Sequence, residues 1–496
     1  MSLWRKKSIT KLLADAESNE HGLKKTLTAS SLVALGIGAI IGAGLFVRTA
    51  AAAGEHAGNA VTISFIIAAV GCLFAGLCYA EFAAMIPIAG SAYTYAYTTM
   101  GELIAWIIGW ALILEYALGA ATVSIAWSEY LNNLLGGSIP YAICHSPFET
   151  SPLTGQHGLI NLPALFILLI LSLLLIRGTQ ESARVNSIIV FVKVAIVLIF
   201  IAVGWKFMNP TNHVPYVIPD NAPPVDLGNG KTFDFLQSWR NHGWTGVLSG
   251  AAVVFFAFIG FDAVSTAAQE TKNPKRDMPI GILGSLAICT VLYVLFSHVL
   301  TGVAPYRDFL KAGKEASVSY AIQTYMPGFG WLATLVTIAI LAGFSSVILV
   351  MLLGQSRVFY SMSNDGLMPK LFSHLHPKFR TPYKSNMILF VFVGFFGAFI
   401  PESVAGDLTS IGTLLAFVIV CLGIIILRYK EPNRIRPFRT PLVPFVPVMG
   451  ILVCGAMISF EDPTTILTAL AWMVLGLVIF FAYSRHHSNI GLENKI

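Results

Sequence analysis

Four glycines crowd into residues 36–46, GIGAIIGAGLF, with no charged residue among them. Glycine inside a helix costs about 1 kcal/mol relative to alanine, so a helix that keeps four at its centre needs a reason. Gly36, Gly38 and Gly42 miss the dinucleotide fingerprint G-x-G-x-x-G by one residue and lack its strand–turn–helix context. Gly38 and Gly42 also spell GxxxG, a helix-packing motif. A simple hinge is a third reading. The fourth is that the helix unwinds here. Unwinding frees backbone N–H and C=O groups, which are costly in hydrocarbon unless something meets them. The start of the following half-helix favours an anion, and the end of the preceding half favours a cation. A ligand with a carboxylate and an ammonium a few ångströms apart satisfies both, and that ligand is an α-amino acid.

Isolated charges in apolar runs are the other candidates. Lys193 lies in IIVFVKVAIVLIF, near the middle of its run. A charge at bilayer centre costs roughly 2.5–3.5 kcal/mol on insertion scales. Either Lys193 holds backbone carbonyls or a carboxylate, or it carries a proton, since burial disfavours the charged form of an amine. Glu115 in WALILEYALGAA is a pocket carboxylate or a partner for backbone and water. Asp262 follows FIGF and ties a second interruption together or touches the ligand. Glu81 reads as structural, and Glu270 as part of a solvated loop with a gate-side network.

The elements that position these residues follow from composition. Of 496 residues 56% are hydrophobic and 11% charged, against roughly 25% charged in a soluble domain. Apolar stretches long enough to span a bilayer lie near 28–53, 59–86, 98–135, 160–177, 184–207, 245–269, 278–303, 331–360, 386–400, 405–428, 443–459 and 463–484. The expectation is therefore an all-α polytopic membrane protein of twelve transmembrane helices. With the N-terminus inside, 23 Lys and Arg fall on the inner side and 7 on the outer. Both termini are then cytoplasmic. The net charge of +6 is explained by basic loops beside anionic lipid and needs no nucleic acid. Residues 1–27 are too polar for a cleavable signal and read as a cytoplasmic segment.

Spans 1–5 (28–207) and 6–10 (245–428) match in length and helix count. An odd number per block inverts the second block. Residues 208–244 form an outer loop, and 429–496 hold two additional helices and the C-terminus. Span 6, VLSGAAVVFFAFIGFDAVSTAAQE, is interrupted near Gly260 as span 1 is near Gly42. Paired interruptions in inverted repeats point to a transporter's central site.

The chain resembles the amino acid–polyamine–organocation superfamily, and within it the cationic amino acid transporter branch. The resemblance rests on GIGAIIGAGLF, YAEFAAMIPIAGSAYTYAY, GWALILEYALGAA, FAFIGFDAVSTAAQETKNPKRDMPIGI, SRVFYSMSNDGLMP and SIGTLLAF in that order. It implies a LeuT-type 5+5 inverted repeat with discontinuous helices 1 and 6, and alternating-access carriage of L-amino acids. By the same resemblance the substrate carboxylate meets the amides of Ala43 and Gly44. Its ammonium meets the carbonyls of Ile40, with Ile41 adjacent, and of Phe256, Ala257 and Ile259, while the Phe256 ring covers it. Lys193 takes the place where sodium-coupled relatives bind sodium, and Ser345 and Ser346 match hydroxyls beside it. Relatives specific for cationic substrates look smaller at Met351, so methionine there shortens the pocket.

The expectation is a proton-coupled symporter for small neutral amino acids such as alanine, with cationic ones such as arginine, favoured by Glu115, as the competing hint. It sits in the plasma membrane and needs no cofactor or metal. A sodium-independent exchanger is the alternative. In other classes, a channel or a non-transporting sensor remain, though no pore-lining charged ring is visible. Enzyme motifs such as HExxH, CxxC and GxSxG are absent. An accessory subunit is not legible.

Overall fold

The computed structural model describes residues 4–9, 12, 25, 27–88, 90–151, 155–177, 179–228, 231–310, 317–379 and 381–489, with backbone alone at 179–185, 228, 231 and 317. Most of the segment 1–27 lies outside the described residues. The chain is a bundle of α1 (Ala29–Ile40), α2 (Val61–Met85), α3 (Ser91–Thr99), α4 (Glu102–Leu134), α5 (Leu162–Arg177), α6 (Thr179–Gly204), α7 (Gly243–Phe255), α8 (Pro274–Val303), α9 (Ser317–Tyr325), α10 (Gly330–Asn364), α11 (Tyr383–Phe399), α12 (Glu402–Lys430), α13 (Phe445–Phe460) and α14 (Pro463–Ile479). A hairpin, β1 (Val225–Gly228) and β2 (Lys231–Phe233), precedes α7.

Among the described residues, eight helical runs are long and apolar enough to cross a membrane, and four shorter apolar helices, Ala29–Ile40, Leu162–Arg177, Tyr383–Phe399 and Phe445–Phe460, stand beside them. The stretch expected to span 98–135 begins as a helix only at Glu102, because Gly101 at φ 107° turns the chain and sets α3 apart. In the most apolar window of α4, 83% is buried, against 17% in Pro463–His487. A helix apolar all round belongs in a core, and α4 is that core. Phe191, Val391 and Leu467 project outward from α6, α11 and α14. Surface this apolar needs a nonaqueous neighbour.

Carboxylates tie the ends of the bundle. Glu81 at the end of α2 accepts a two-pronged bond from Arg428 (2.9 and 2.8 Å) and one from the Thr440 amide (2.7 Å), with Arg436 at 3.1 Å. Both chain ends clasp the same end of the bundle. Lys7 pairs with Asp365, and the Glu102 amide donates to Arg5 O at 3.0 Å. From the other terminus, the Asn489 amide donates to Asp365 O (3.0 Å) and Ser488 Oγ to Glu102 (2.8 Å).

Candidate functional site

Helix α1 stops at Ile40. Ile41 is extended (ψ 102°), and the chain coils again from Gly44 in wide turns, Gly44–Arg48. A restarted helix leaves its first amides without intrahelical acceptors, here those around Ala43 and Gly44. The second break follows α7. One tight turn, Phe256–Phe258, leads into extended Ile259 (ψ 136°) and then Gly260 at φ 111°. An L side chain rarely adopts that φ, so Gly260 makes this corner possible. The chain then coils again over Asp262–Glu270.

The two breaks cross antiparallel at close range. A Cβ on Gly44 would lie 2.6 Å from Ala257 N, and one on Gly260 would lie 2.9 Å from Ala39 Cβ. Tyr293 of α8 clasps both. Its hydroxyl is 2.8 Å from Ile40 O and 2.9 Å from Ala257 O. A hydroxyl has one proton, so only one of these carbonyls takes it at a time and the other has a lone pair open to another donor. Tyr293→Phe removes the shared donor and leaves two buried carbonyls to compete for water, at about 1–3 kcal/mol for an unmet group. The expected result is a thermal unfolding midpoint lowered by several degrees and uptake reduced about tenfold. A variant equal to the parent in both would remove Tyr293 from the site.

Between the breaks lies a cavity of about 10 Å³, the room of roughly one water. Ile40, Ala43, Gly44, Phe256, Ile259 and Met351 line it, together with Gly119 and Val123 of α4 and Val347 of α10. Ile41 and Ala257, expected here, do not line it: Ile41 O accepts from Lys193, and Ala257 O shares the Tyr293 hydroxyl with Ile40 O. Glu115 does not line the cavity. It is fully buried beside Asp262 and Thr413, and Asp262 accepts from Tyr116 Oη at 2.8 Å. The buried carboxylates thus gather behind the second break.

Lys193 of α6 is 1% exposed. Its Nζ donates to Gly38 O (2.7 Å) and Ile41 O (2.8 Å), one carbonyl in the last turn of α1 and one at the break. Ser346 Oγ reaches Gly38 O at 3.5 Å and also binds the Asn186 carboxamide. Ser345 turns away and donates to Leu341 O of its own helix at 2.9 Å.

Ion pairs close both ends of this column. Arg357 binds Glu270, which is buried and not in a solvated loop as its sequence suggests. At the other end Arg48 sits 5.4 Å from the centroid of the Phe256 ring and holds Asp407 at 3.0 Å and Glu402 at 3.3 Å. Sequence reasoning passed over Tyr293, Asn186 and Arg48. Tyr293 and Arg48 had one usable signal, a polar side chain inside an apolar run, as in TVLYVLF and LFVRTAAAA, while Asn186 stands between Arg184 and Ser187 and had none.

A family model for amino acid permeases matches residues 27–489. A branched-chain amino acid permease of Bacillus subtilis is 44% identical over 492 residues, covering 99% of each chain. A methylthioribose transporter of the same organism is 39% identical over 98% of this chain and 99% of its own. A human cationic amino acid transporter is 33% identical over 84% of this chain and 62% of its own. These relatives are named as permeases and transporters, not as enzymes. A membrane-spanning helical chain matched along nearly its whole length in this way belongs to the amino acid permease family of the amino acid–polyamine–organocation superfamily.

Proposed function

We propose that the chain is a secondary transporter in the plasma membrane, with both termini cytoplasmic. It carries an L-amino acid together with a proton by alternating access. Spans 1–5 and 6–10 act as the two inverted repeats of a twelve-helix, LeuT-type arrangement, and 429–496 add two helices. One observation carries the reading: two broken helices cross so that main-chain groups of both converge on one cavity. Amides at the start of the restarted helix, at Ala43 and Gly44, suit a carboxylate, and the carbonyls of Ile40, Phe256, Ala257 and Ile259 suit an ammonium. Phe256 covers the ligand.

Proton coupling is assigned to Lys193. Its ammonium already meets the Gly38 and Ile41 carbonyls, which are the kind of oxygens a sodium ion would take. Uptake should therefore persist when choline replaces sodium. Ser346, whose hydroxyl donates to Asn186 Oδ1, also reaches the Gly38 carbonyl that Lys193 holds, with Ser345 one residue off that contact.

The side-chain end of the cavity is set by Met351, Val123 and Val347. The cavity as it stands holds about one water, so the ligand must widen it, and small neutral amino acids, alanine first, need the least widening of that wall. The similarity to branched-chain permeases adds leucine, isoleucine and valine. Met351→Ser opens the pocket, so leucine and arginine should compete at least about fivefold better with labelled alanine. Unchanged competition would free Met351 of that role.

The deciding experiment is uptake into proteoliposomes at equal pH and then with an inward proton gradient. The panel is alanine, leucine, arginine and methylthioribose. Accumulation driven by the gradient supports symport. Uptake that ignores the gradient and needs internal amino acid would make the chain an exchanger.

A further inference from the structure

The chain that leaves α6 folds back as a loop, 205–216, against the last turn of α8. The Asn209 amide donates to Gly302 O at 2.9 Å, and Asn212 Nδ2 donates to the same carbonyl at 2.8 Å. A Cβ on Gly302 would lie 2.7 Å from Met208 Cε, so the loop seats on bare backbone. Asn59, at the far end of the coil that follows the first break, donates to Asn212 O (2.6 Å) and Pro215 O (3.0 Å). One loop thus ties together the ends of three elements, those that carry Lys193, Gly44 and Tyr293.

His213 of the loop and His298 of α8 face each other in this seat. Their ring centroids are 4.6 Å apart and their planes 34° from parallel. Both are half-buried. His213 Nε2 is 3.4 Å from Thr301 Oγ1, Tyr216 meets the His213 ring edge-on at 5.9 Å, and Trp205 lies 5.9 Å from His298. Lys206, next to Trp205, is exposed. Among the described residues no carboxylate pairs with either imidazole. Neutral rings stack well at this range, but two imidazolium ions repel with no counter-ion to offset them.

The pair is set apart from the lysine below it. Phe200, about two turns beyond Lys193 on α6, stacks at 4.9 Å on Phe296, which sits just before His298 on α8. An apolar layer of this kind gives a proton no relay. The pair is placed to sense protons and not to pass them on.

We propose that His213 and His298 form an external pH sensor: protonation sets like charges face to face, releases the loop from α8 and lets the outer ends of the three elements part. Its placement on the outer side rests on the reading of the chain as a carrier with cytoplasmic termini. The direction follows from the surroundings. Burial first, and next His298, hold the His213 imidazole below its ordinary value, while the main-chain carbonyl of His298 pulls the other way. In the released loop the imidazole returns to about 6.5. The docked loop therefore keeps its full hold above about 6.5 and loses it as pH falls below that value.

The test reads the loop itself. Hydrogen–deuterium exchange of the full chain in lipid nanodiscs is measured at about pH 7.5 and about pH 5.5, one unit either side of the ordinary value, with rates corrected for the intrinsic effect of pH. Exchange over 205–216 should rise about fivefold on acidification. His298→Phe and His213→Phe keep a ring in the stack and remove the paired charge, so in each the rise should stay under about twofold. Counterflow of labelled alanine at equal pH on both sides should quicken about twofold in acid for the parent and stay flat in both variants. Exchange that acid does not change, or that rises equally in both variants, overturns the sensor. So does counterflow that carries alanine but ignores acid. Acid release of the loop in a protein that carries no tested amino acid would keep the sensor and overturn the transport reading instead.

Discussion

Gly44→Ala is expected to lower uptake about 100-fold in a protein that still folds, because a misplacement of about 1 Å can cost a site that much. The added methyl would stand 2.6 Å from both the N and the Cβ of Ala257. Side chains can rotate out of such a clash, but the backbone of the second break cannot, since Tyr293 and the Gly260 corner hold it. The crossing must therefore widen, which moves the Gly44 amide away from the carbonyls opposite. Overpacking of this kind costs about 1–3 kcal/mol, within the stability of a folded domain. Gly455→Ala is the control, because no atom lies within 4 Å of where its Cβ would go. The measurements are initial uptake rate and thermal unfolding for both variants. A Gly44→Ala protein that transports like the parent would show that the crossing is packing alone.

Lys193→Ala is the second large effect. It should abolish accumulation against a gradient, a drop of at least about tenfold at steady state, by removing the only proton-exchanging group assigned to the broken first helix. It also strips the Gly38 and Ile41 carbonyls of their donor, at about 1–3 kcal/mol for each unmet group. Unfolding temperature and uptake must therefore be read together. Counterflow of labelled alanine against internal alanine needs no gradient and should survive. Loss of accumulation with surviving counterflow assigns the proton to Lys193. Undiminished accumulation would leave the lysine as a brace for the break.

Much of the fold was legible because lipid imposes strict rules. Apolar length locates the stretches that became helices, and the glycines in GIGAIIGAGLF and FIGF mark where two of them break. The chain's own turns were harder to read. Gly101 separates α3 from α4 through its φ, which leaves hydropathy unchanged. The breaks were legible because glycine-rich main chain makes them, whatever the neighbours are. The site was not legible where partners come from distant helices. Tyr293 meets residues 253 and 36 positions away, and nothing local marks that meeting. Glu115 shows the same limit. Its place on α4 follows from sequence, but its facing Asp262 and not the cavity depends on how helices pack.

The crossing of the two breaks also divides the site by heredity. The groups proposed to read the part common to every amino acid are main-chain atoms of Ile40, Ala43, Gly44 and the 256–259 turn; no codon change removes a main-chain carbonyl, and only a change to proline removes an amide. The wall facing the variable part is built of side chains on two unbroken helices, Val123 of α4 and Val347 and Met351 of α10. Mutation can redraw that wall while the grip on the common part persists. Diversification of cargo in such a scaffold can then proceed one side chain at a time, with the crossing of the breaks left in place.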